Sequence, residues 1–277
     1  VYKKQNKFYY FNSTMSTISL GNLHFLPNEI KKIATRYRLQ NVKLTYANKR
    51  GTVDGAVVPV GVKLNATAIM NTLRSKFELD YVPSKRFVYF KSYFPHISLY
   101  DLYNAIIPVR LSKPVNDFCK SIGSRNTLFE YANKSGMVNG SLVKAGFRAS
   151  GKMRFLSIHG DFKINYQSRS RLFYMNLNMD RLNLADLPFM PNAIKSITGK
   201  ITLTRTNFVY SNKRGMVDGE IVYRGFALKG QGKIGNRTVS YDVEYAPSNK
   251  MVLIKSNIKK AKLSDINFFS NSVYLPN

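Results

Sequence analysis

The residues best suited to acid–base or metal chemistry are three histidines, His24, His96 and His159, and none of them has a sequence neighbour to work with. A general base needs an orienting carboxylate or a nucleophile beside it, and zinc needs three or four His or Cys ligands at short spacing. No second histidine or cysteine lies near any of the three. The single cysteine, Cys119, excludes an internal disulfide and a cysteine-ligated metal, and reads as a small buried side chain. Asp101, Asp186 and Asp265 occupy matching positions just before connecting segments, where a side chain caps the turn that follows. Asp54, Asn139 and Asp218 also match one another, but alternation of acid with amide suits a turn or bulge and not a general base. No phosphate-binding glycine loop, nucleophile elbow or metal-spaced His/Glu pair is present. The residues therefore predict no enzyme, no cofactor and no metal site.

What the sequence does carry is a repeat. Tyr46, Tyr131 and Tyr210 open the phrases Tyr-Ala-Asn-Lys-Arg-Gly-Thr-Val-Asp-Gly, Tyr-Ala-Asn-Lys-Ser-Gly-Met-Val-Asn-Gly and Tyr-Ser-Asn-Lys-Arg-Gly-Met-Val-Asp-Gly, with offsets of 85 and 79 residues. Tyr81, Tyr166 and Tyr245 keep the same offsets, as do the three matching aspartates. Lys7-Phe-Tyr-Tyr-Phe-Asn-Ser and Ile18-Ser-Leu-Gly-Asn-Leu repeat, 79 residues ahead, Arg86-Phe-Val-Tyr-Phe-Lys-Ser and Ile97-Ser-Leu-Tyr-Asp-Leu. Residues 1–23 thus read as the end of a preceding repeat, followed by repeats at 24–102, 103–187 and 188–277 in one elongated domain. The six extra residues of the middle repeat fall between Asp101 and Tyr131, which marks that segment as a connection. Opening in mid-repeat, the chain is expected to be a piece of a longer protein.

Each repeat predicts an all-β unit. Val239, Tyr241, Val243 and Tyr245 alternate with Ser240, Asp242 and Glu244, the period of a strand with one apolar face. Val217, Gly219, Ile221 and Tyr223 alternate in the same way and predict a strand, as does the run from Phe226 and Leu228 to Ile234. Ile201 to Tyr210 predicts a strand bulged near Thr206, where the apolar parity changes, and Met251 to Lys255 a fifth. Between units, residues 191–197 predict a turn or two of helix, and residues 115–123 a helix capped by Gly123. The expectation is about five antiparallel strands per unit, short linker helices, and one continuous sheet curled on itself or open as a groove.

Composition adds a partner question. The chain has 277 residues, 44% hydrophobic, with 43 basic against 15 acidic residues and a formal charge of +28. Such a surface attracts phosphates of nucleic acid or of anionic lipid, although AT-rich coding produces the same excess of Lys. No run approaches 18 apolar residues, so no helical membrane span is expected.

Leu182-Asn-Leu-Ala-Asp-Leu, Ile197-Thr-Gly-Lys-Ile-Thr-Leu, Gly215-Met-Val-Asp-Gly-Glu-Ile and Phe226-Ala-Leu-Lys-Gly-Gln-Gly-Lys-Ile resemble the bacterial AsmA-like family, the group of AsmA, TamB and YhdP. The likeness covers nearly the whole chain. It implies a β-groove that passes phospholipid between inner and outer membranes, in the periplasm, anchored to the inner membrane by a segment outside this chain. The candidate acyl-chain surface is Leu44, Tyr46, Val57, Leu64, Phe77, Leu79 and Tyr81, with Phe129, Tyr131, Leu142, Phe162, Ile164 and Tyr166 at matching positions in the second repeat. Phe208, Tyr210, Ile221, Leu228, Tyr241, Val243 and Tyr245 continue it in the third.

Lys49, Arg50, Lys134, Lys213 and Arg214 occupy matching turns and are the candidate headgroup rim toward an anionic membrane surface. Two other readings compete. An RNA-binding protein would use the same cations with 18 Tyr and 18 Phe as stacking platforms, but the basic residues are scattered and most aromatics alternate toward one face. A structural β-solenoid would need no ligand at all.

Overall fold

The structure is a computed structural model, and it describes residues 2–3, 7–24, 26, 37–70, 73–106, 113–138, 140–155, 158–167, 169–183, 202–234, 237–246 and 251–258. Strands β1 (Tyr2–Lys3) and β2 (Phe8–Ser19) come first. Then follow β3 (Arg38–Ala47), the short β4 (Gly51–Val53) and β5 (Ala56–Val58), β6 (Gly61–Met70), β7 (Leu73–Val82) and β8 (Phe87–Ser98). Helices α1 (Leu99–Ile106) and α2 (Lys113–Ser121) lead into β9 (Ile122–Ala132), β10 (Gly136–Val138), β11 (Ser141–Val143), β12 (Gly146–Phe155), β13 (Ile158–Gln167) and β14 (Leu172–Asn183). The last set is β15 (Thr202–Ser211), β16 (Gly215–Val217), β17 (Glu220–Val222), β18 (Gly225–Ile234), β19 (Arg237–Ala246) and β20 (Met251–Ile258).

Fourteen of these strands form one antiparallel sheet in the order β1-β2-β3-β6-β7-β8-β9-β12-β13-β14-β15-β18-β19-β20, and its first and last strands do not pair. The fold is the expected all-β one, a continuous curled sheet that is not closed into a barrel. Each unit gives it four strands, and the remaining two make a separate hairpin: β4–β5, β10–β11 and β16–β17.

That hairpin corrects the single strand expected from Val217 to Tyr223. The chain reverses at Asp218 and Gly219, with φ of 52° and 94°, and Asp54 and Gly55 do the same at 49° and 79°. Two successive left-handed residues close a two-residue turn, which Asp-Gly adopts at little cost because Gly lacks a Cβ and Asp tolerates the region. Alternation survives through the reversal, so period alone could not reveal it. Asn139, the matching residue of the second unit, lies outside the described residues.

The bulge expected near Thr206 is present. Pairing of β15 with β18 shifts between Thr204 and Asn207, and pairing of β3 with β6 shifts between Gln40 and Lys43. In both, the extra residue is left-handed: Arg205 at φ 49° and Asn41 at 52°. Gly123 departs from expectation: α2 ends at Ser121, and Gly123 is already in β9, opposite Ser98. The helix expected at 191–197 lies outside the described residues.

One face of the sheet gathers a single apolar cluster running from Leu39 on β3 to Val243 on β19. Leu99 and Leu102 of α1 and Cys119 of α2 join it at the linker edge. Ser98 caps α1: its Oγ accepts from the Asp101 backbone N–H at 2.9 Å and donates to the Asp101 carboxylate at 2.6 Å. The cap is thus Ser98 and not Asp101, whose carboxylate inside the first turn holds the Ser98 hydroxyl in place, while Asp186 and Asp265 lie outside the described residues.

Candidate functional site

The inner face is built from alternate residues of neighbouring strands, and pairing fixes their rows. Leu64 sits opposite Leu79, Phe129 opposite Ala149, Phe208 opposite Leu228 and Leu228 opposite Val243. Small residues leave room for rings: an added Cβ on Gly151 would lie 3.0 Å from the Phe162 ring, and one on Gly232 2.8 Å from the Tyr241 ring. The rows cross from one unit to the next without interruption. Phe90, on the last strand of the first unit, meets Phe129 of the second with ring centroids 5.5 Å apart, and Phe173 meets Tyr210 of the third at 6.0 Å.

Sixteen of the sequence-predicted residues lie on this face: Leu44, Tyr46, Leu64, Phe77, Leu79, Tyr81, Phe129, Tyr131, Phe162, Ile164, Tyr166, Phe208, Tyr210, Leu228, Tyr241 and Val243. Tyr245 takes the backbone position opposite Phe226. Val57, Leu142 and Ile221 do not belong with them. They are on the separate hairpins, more than half exposed.

Phe90, Phe147 and Phe173 belong to the face but were missed, for a physical reason. On β8, Phe87 and Tyr89 are buried on the outer side, in a small cluster with Val143 of the hairpin, while Val88 and Phe90 are buried on the inner side. A strand buried on both faces has no two-residue period to read.

Exposure of the face is uneven. In the middle of the sheet its side chains seal one another: Tyr131 is 3% exposed and Phe129 is not exposed at all. At the β2–β3 end, Phe11 is 54% exposed and Tyr46, paired with it, 37%. The buried polar groups among the described residues are neutral hydroxyls, Ser75, Ser92, Ser124, Thr127, Thr206 and Ser211. Ser75 and Ser92 bond to each other at 2.7 Å, and Ser124 bonds to Thr127 at 2.8 Å. Thr206 Oγ1 and the Tyr241 hydroxyl are buried on this face with no hydrogen-bond partner among the described residues.

Charges keep to the outer face and edges. Cross-strand pairs Lys63–Asp80 at 3.6 Å, Lys91–Glu78 at 2.9 Å, Lys152–Asp161 at 2.7 Å and Lys229–Asp242 at 3.4 Å engage four of the 15 acidic residues. Burial nevertheless holds the Asp80 carboxyl above its ordinary value, against the pull of Lys63. His96 and His159 are exposed there, opposite Arg125 and Arg154. Burial pushes the Cys119 thiol up to about 12, which leaves it protonated and inert at neutral pH. Among the described residues no group of three His, Cys, Asp or Glu could hold a metal, and no helix is long and apolar enough to cross a membrane.

The residue before each rim cation is the one the sequence reading overlooked. Asn133 accepts from the Val88 N–H at 2.9 Å through Oδ1, donates to the Arg86 carbonyl at 2.9 Å through Nδ2, and donates its own N–H to Val88 O at 3.1 Å. Asn48 makes the same three bonds to Tyr9 and Lys7, and Asn212 to Phe173 and Arg171. Each clamp spans the boundary between units and meets a left-handed residue: Lys7, Arg86 or Arg171, with φ between 43° and 50°. The repeated Asn was the available signal.

The clamps set the rim. Lys49 and Arg50, Lys134, and Lys213 and Arg214 follow them directly, all at the edge of the sheet where β3, β9 and β15 end. The clamp also ties the backbone of a further basic residue to each group, Lys7, Arg86 or Arg171. Arg214 lies over the Tyr223 ring at 5.6 Å. Comparison with family models, curated proteins and solved structures finds no match to this chain.

Proposed function

We propose that the chain is a segment of a bridge-like lipid carrier of the AsmA-like kind, whose inner face carries phospholipid acyl chains between the inner and outer membranes of a cell envelope. The observation that supports this most is continuity: the apolar face passes the two later unit boundaries through ring contacts at 5.5 and 6.0 Å, and among the described residues no charged side chain is buried in it. Each methylene kept from water contributes about 0.8 kcal/mol, and an unbroken apolar track lets a chain advance with little change in that term. Phe11 and Tyr46 are the more open part of the face, and an acyl chain meets them without displacing other side chains. Further along, the acyl chain parts side chains that otherwise fill the curl, exchanging their mutual contacts for contacts with itself. Headgroups remain at the edge beside Lys49, Arg50, Lys134, Lys213 and Arg214.

One observation favours a second reading, a ligand-free structural scaffold. The mid-sheet side chains already seal one another, as a core does. Mass spectrometry of the natively purified chain separates the readings. Phospholipid retained in near-stoichiometric amount supports the carrier, a clean folded protein supports the scaffold, and retained nucleic acid supports neither.

A further inference from the structure

The three hairpins have an outer surface that the fold does not use. In each, one face rests on the sheet: Val138 and Val143 pack with Phe87 and Tyr89, and Gly136 approaches so closely that a Cβ would lie 2.6 Å from the Phe87 ring. Gly51 and Gly215 approach Phe8 and Leu172 at 2.5 and 2.6 Å, so all three hairpins lean the same way, over the start of the strand that closes the preceding unit. The other face is turned from the protein. There Met137 pairs with Leu142, Met216 with Ile221, and Thr52 with Val57. The five apolar members are 52–65% exposed.

A hairpin with one side already buried carries polar residues on the other by default, since water is its only neighbour. Large apolar residues at the same register pair in successive units are a pattern, not scatter. Cations surround them. Residues 48–60, 133–145 and 212–224 hold Lys49, Arg50, Lys134, Lys144, Lys213, Arg214 and Arg224 against Asp54, Asp218 and Glu220. One of those acids, Asp218, is already paired with Lys144 at 3.2 Å. Four strands separate equivalent hairpins, so the pads recur about every 19 Å along one edge, at roughly 4.8 Å per strand.

We propose that this hairpin edge docks on an anionic lipid bilayer, with Met137, Leu142, Met216, Ile221 and Val57 entering the interface and the flanking Lys and Arg meeting the headgroup phosphates. The pads stand among seven cations and three acids, and a bilayer surface receives separate apolar side chains and rewards nearby cations. Nucleic acid would use the cations but leave the aliphatic pads in water. The site lies outside the sheet and does not depend on acyl chains along the inner face.

The test uses the whole chain with vesicles of phosphatidylcholine alone or with about one-third phosphatidylglycerol. The chain has no tryptophan, so Leu142→Trp introduces a single indole reporter. Flotation with the anionic vesicles and a blue shift of the indole emission are expected. Replacing Met137, Leu142, Met216 and Ile221 together by Ser should weaken vesicle binding at least tenfold with an unchanged thermal melt. No binding to anionic vesicles, binding undiminished in the fourfold Ser variant, or indole emission that stays at its solvent wavelength while the protein floats would each overturn the proposal. Phospholipid retained by the purified protein is a separate readout, and its absence alongside intact vesicle binding would count against the carrier reading alone.

Discussion

The Asn133 side chain donates to the carbonyl oxygen of Arg86 at 2.9 Å, joining the first strand of one unit to the turn that opens the last strand of the unit before it. Its other amide atom accepts from Val88 N–H, so one side chain replaces two rungs of a backbone ladder where two units meet. Asn133→Ala removes both bonds and leaves a part-buried donor without its partner, a loss of about 2–3 kcal/mol. Asn212→Ala should match it, and Asn48→Ala, where both bonds are exposed, should cost about 1 kcal/mol. Urea denaturation of the three variants provides the ranking, and equal losses at all three sites would refute it.

Glycine replacements sort by cause. Gly146 has φ 110°, and an added Cβ would lie 2.2 Å from the Tyr166 carbonyl oxygen, a backbone atom that cannot step aside. Gly140 has φ 82° and nothing within 4 Å. Gly140→Ala should therefore cost about 1 kcal/mol of backbone strain, and Gly146→Ala about 3 kcal/mol or more. Thermal melts read the difference directly.

The rings at the first boundary should behave as one unit. Phe90→Ala and Phe129→Ala each open a cavity in the inner face and should cost about 3–5 kcal/mol. Combined, they should fall short of the sum by about 0.5–1.5 kcal/mol, because each has already lost its partner at 5.5 Å. Strict additivity would mean that the two units do not communicate through this contact.

Alkaline pH should loosen the sheet in a defined window. Burial raises Tyr166, Tyr210 and Tyr241 above the ordinary tyrosine value, and Tyr89 is raised by burial and by its hydrogen bond to Glu130 at 2.6 Å. The folded chain then holds these protons more tightly than the unfolded chain, whose tyrosines titrate near 10. The stability they contribute is present below about pH 10 and is lost as pH rises through the higher folded values. Phenolate absorbance should show a late-ionising group of tyrosines, and Tyr89→Phe should reduce the alkaline loss. A single titration of all tyrosines near their ordinary value would contradict this.

The repeat, the all-β class and the bulge at Thr206 were legible because each leaves a mark on spacing or parity. The Asp218-Gly219 reversal was also written in the sequence, but alternation running through it masked the turn. Val57, Leu142 and Ile221 were consequently assigned to the inner face, although they stand on the separate hairpins. Phe90 was illegible for the opposite reason, since its strand is apolar on both sides. How tightly the curl closes over Phe129 depends on contacts among strands far apart in sequence, to which residue spacing is blind.

The most direct test of the carrier reading places a photoreactive benzoylphenylalanine at Tyr46 or Tyr81 on the inner face, and at Leu142 on the hairpin as a control, in chain purified without stripping its lipid. Crosslinks from Tyr46 and Tyr81 to phospholipid acyl chains are predicted, with none from Leu142 once vesicles are absent. A well-folded protein that yields no lipid adduct at either inner-face position would contradict the account.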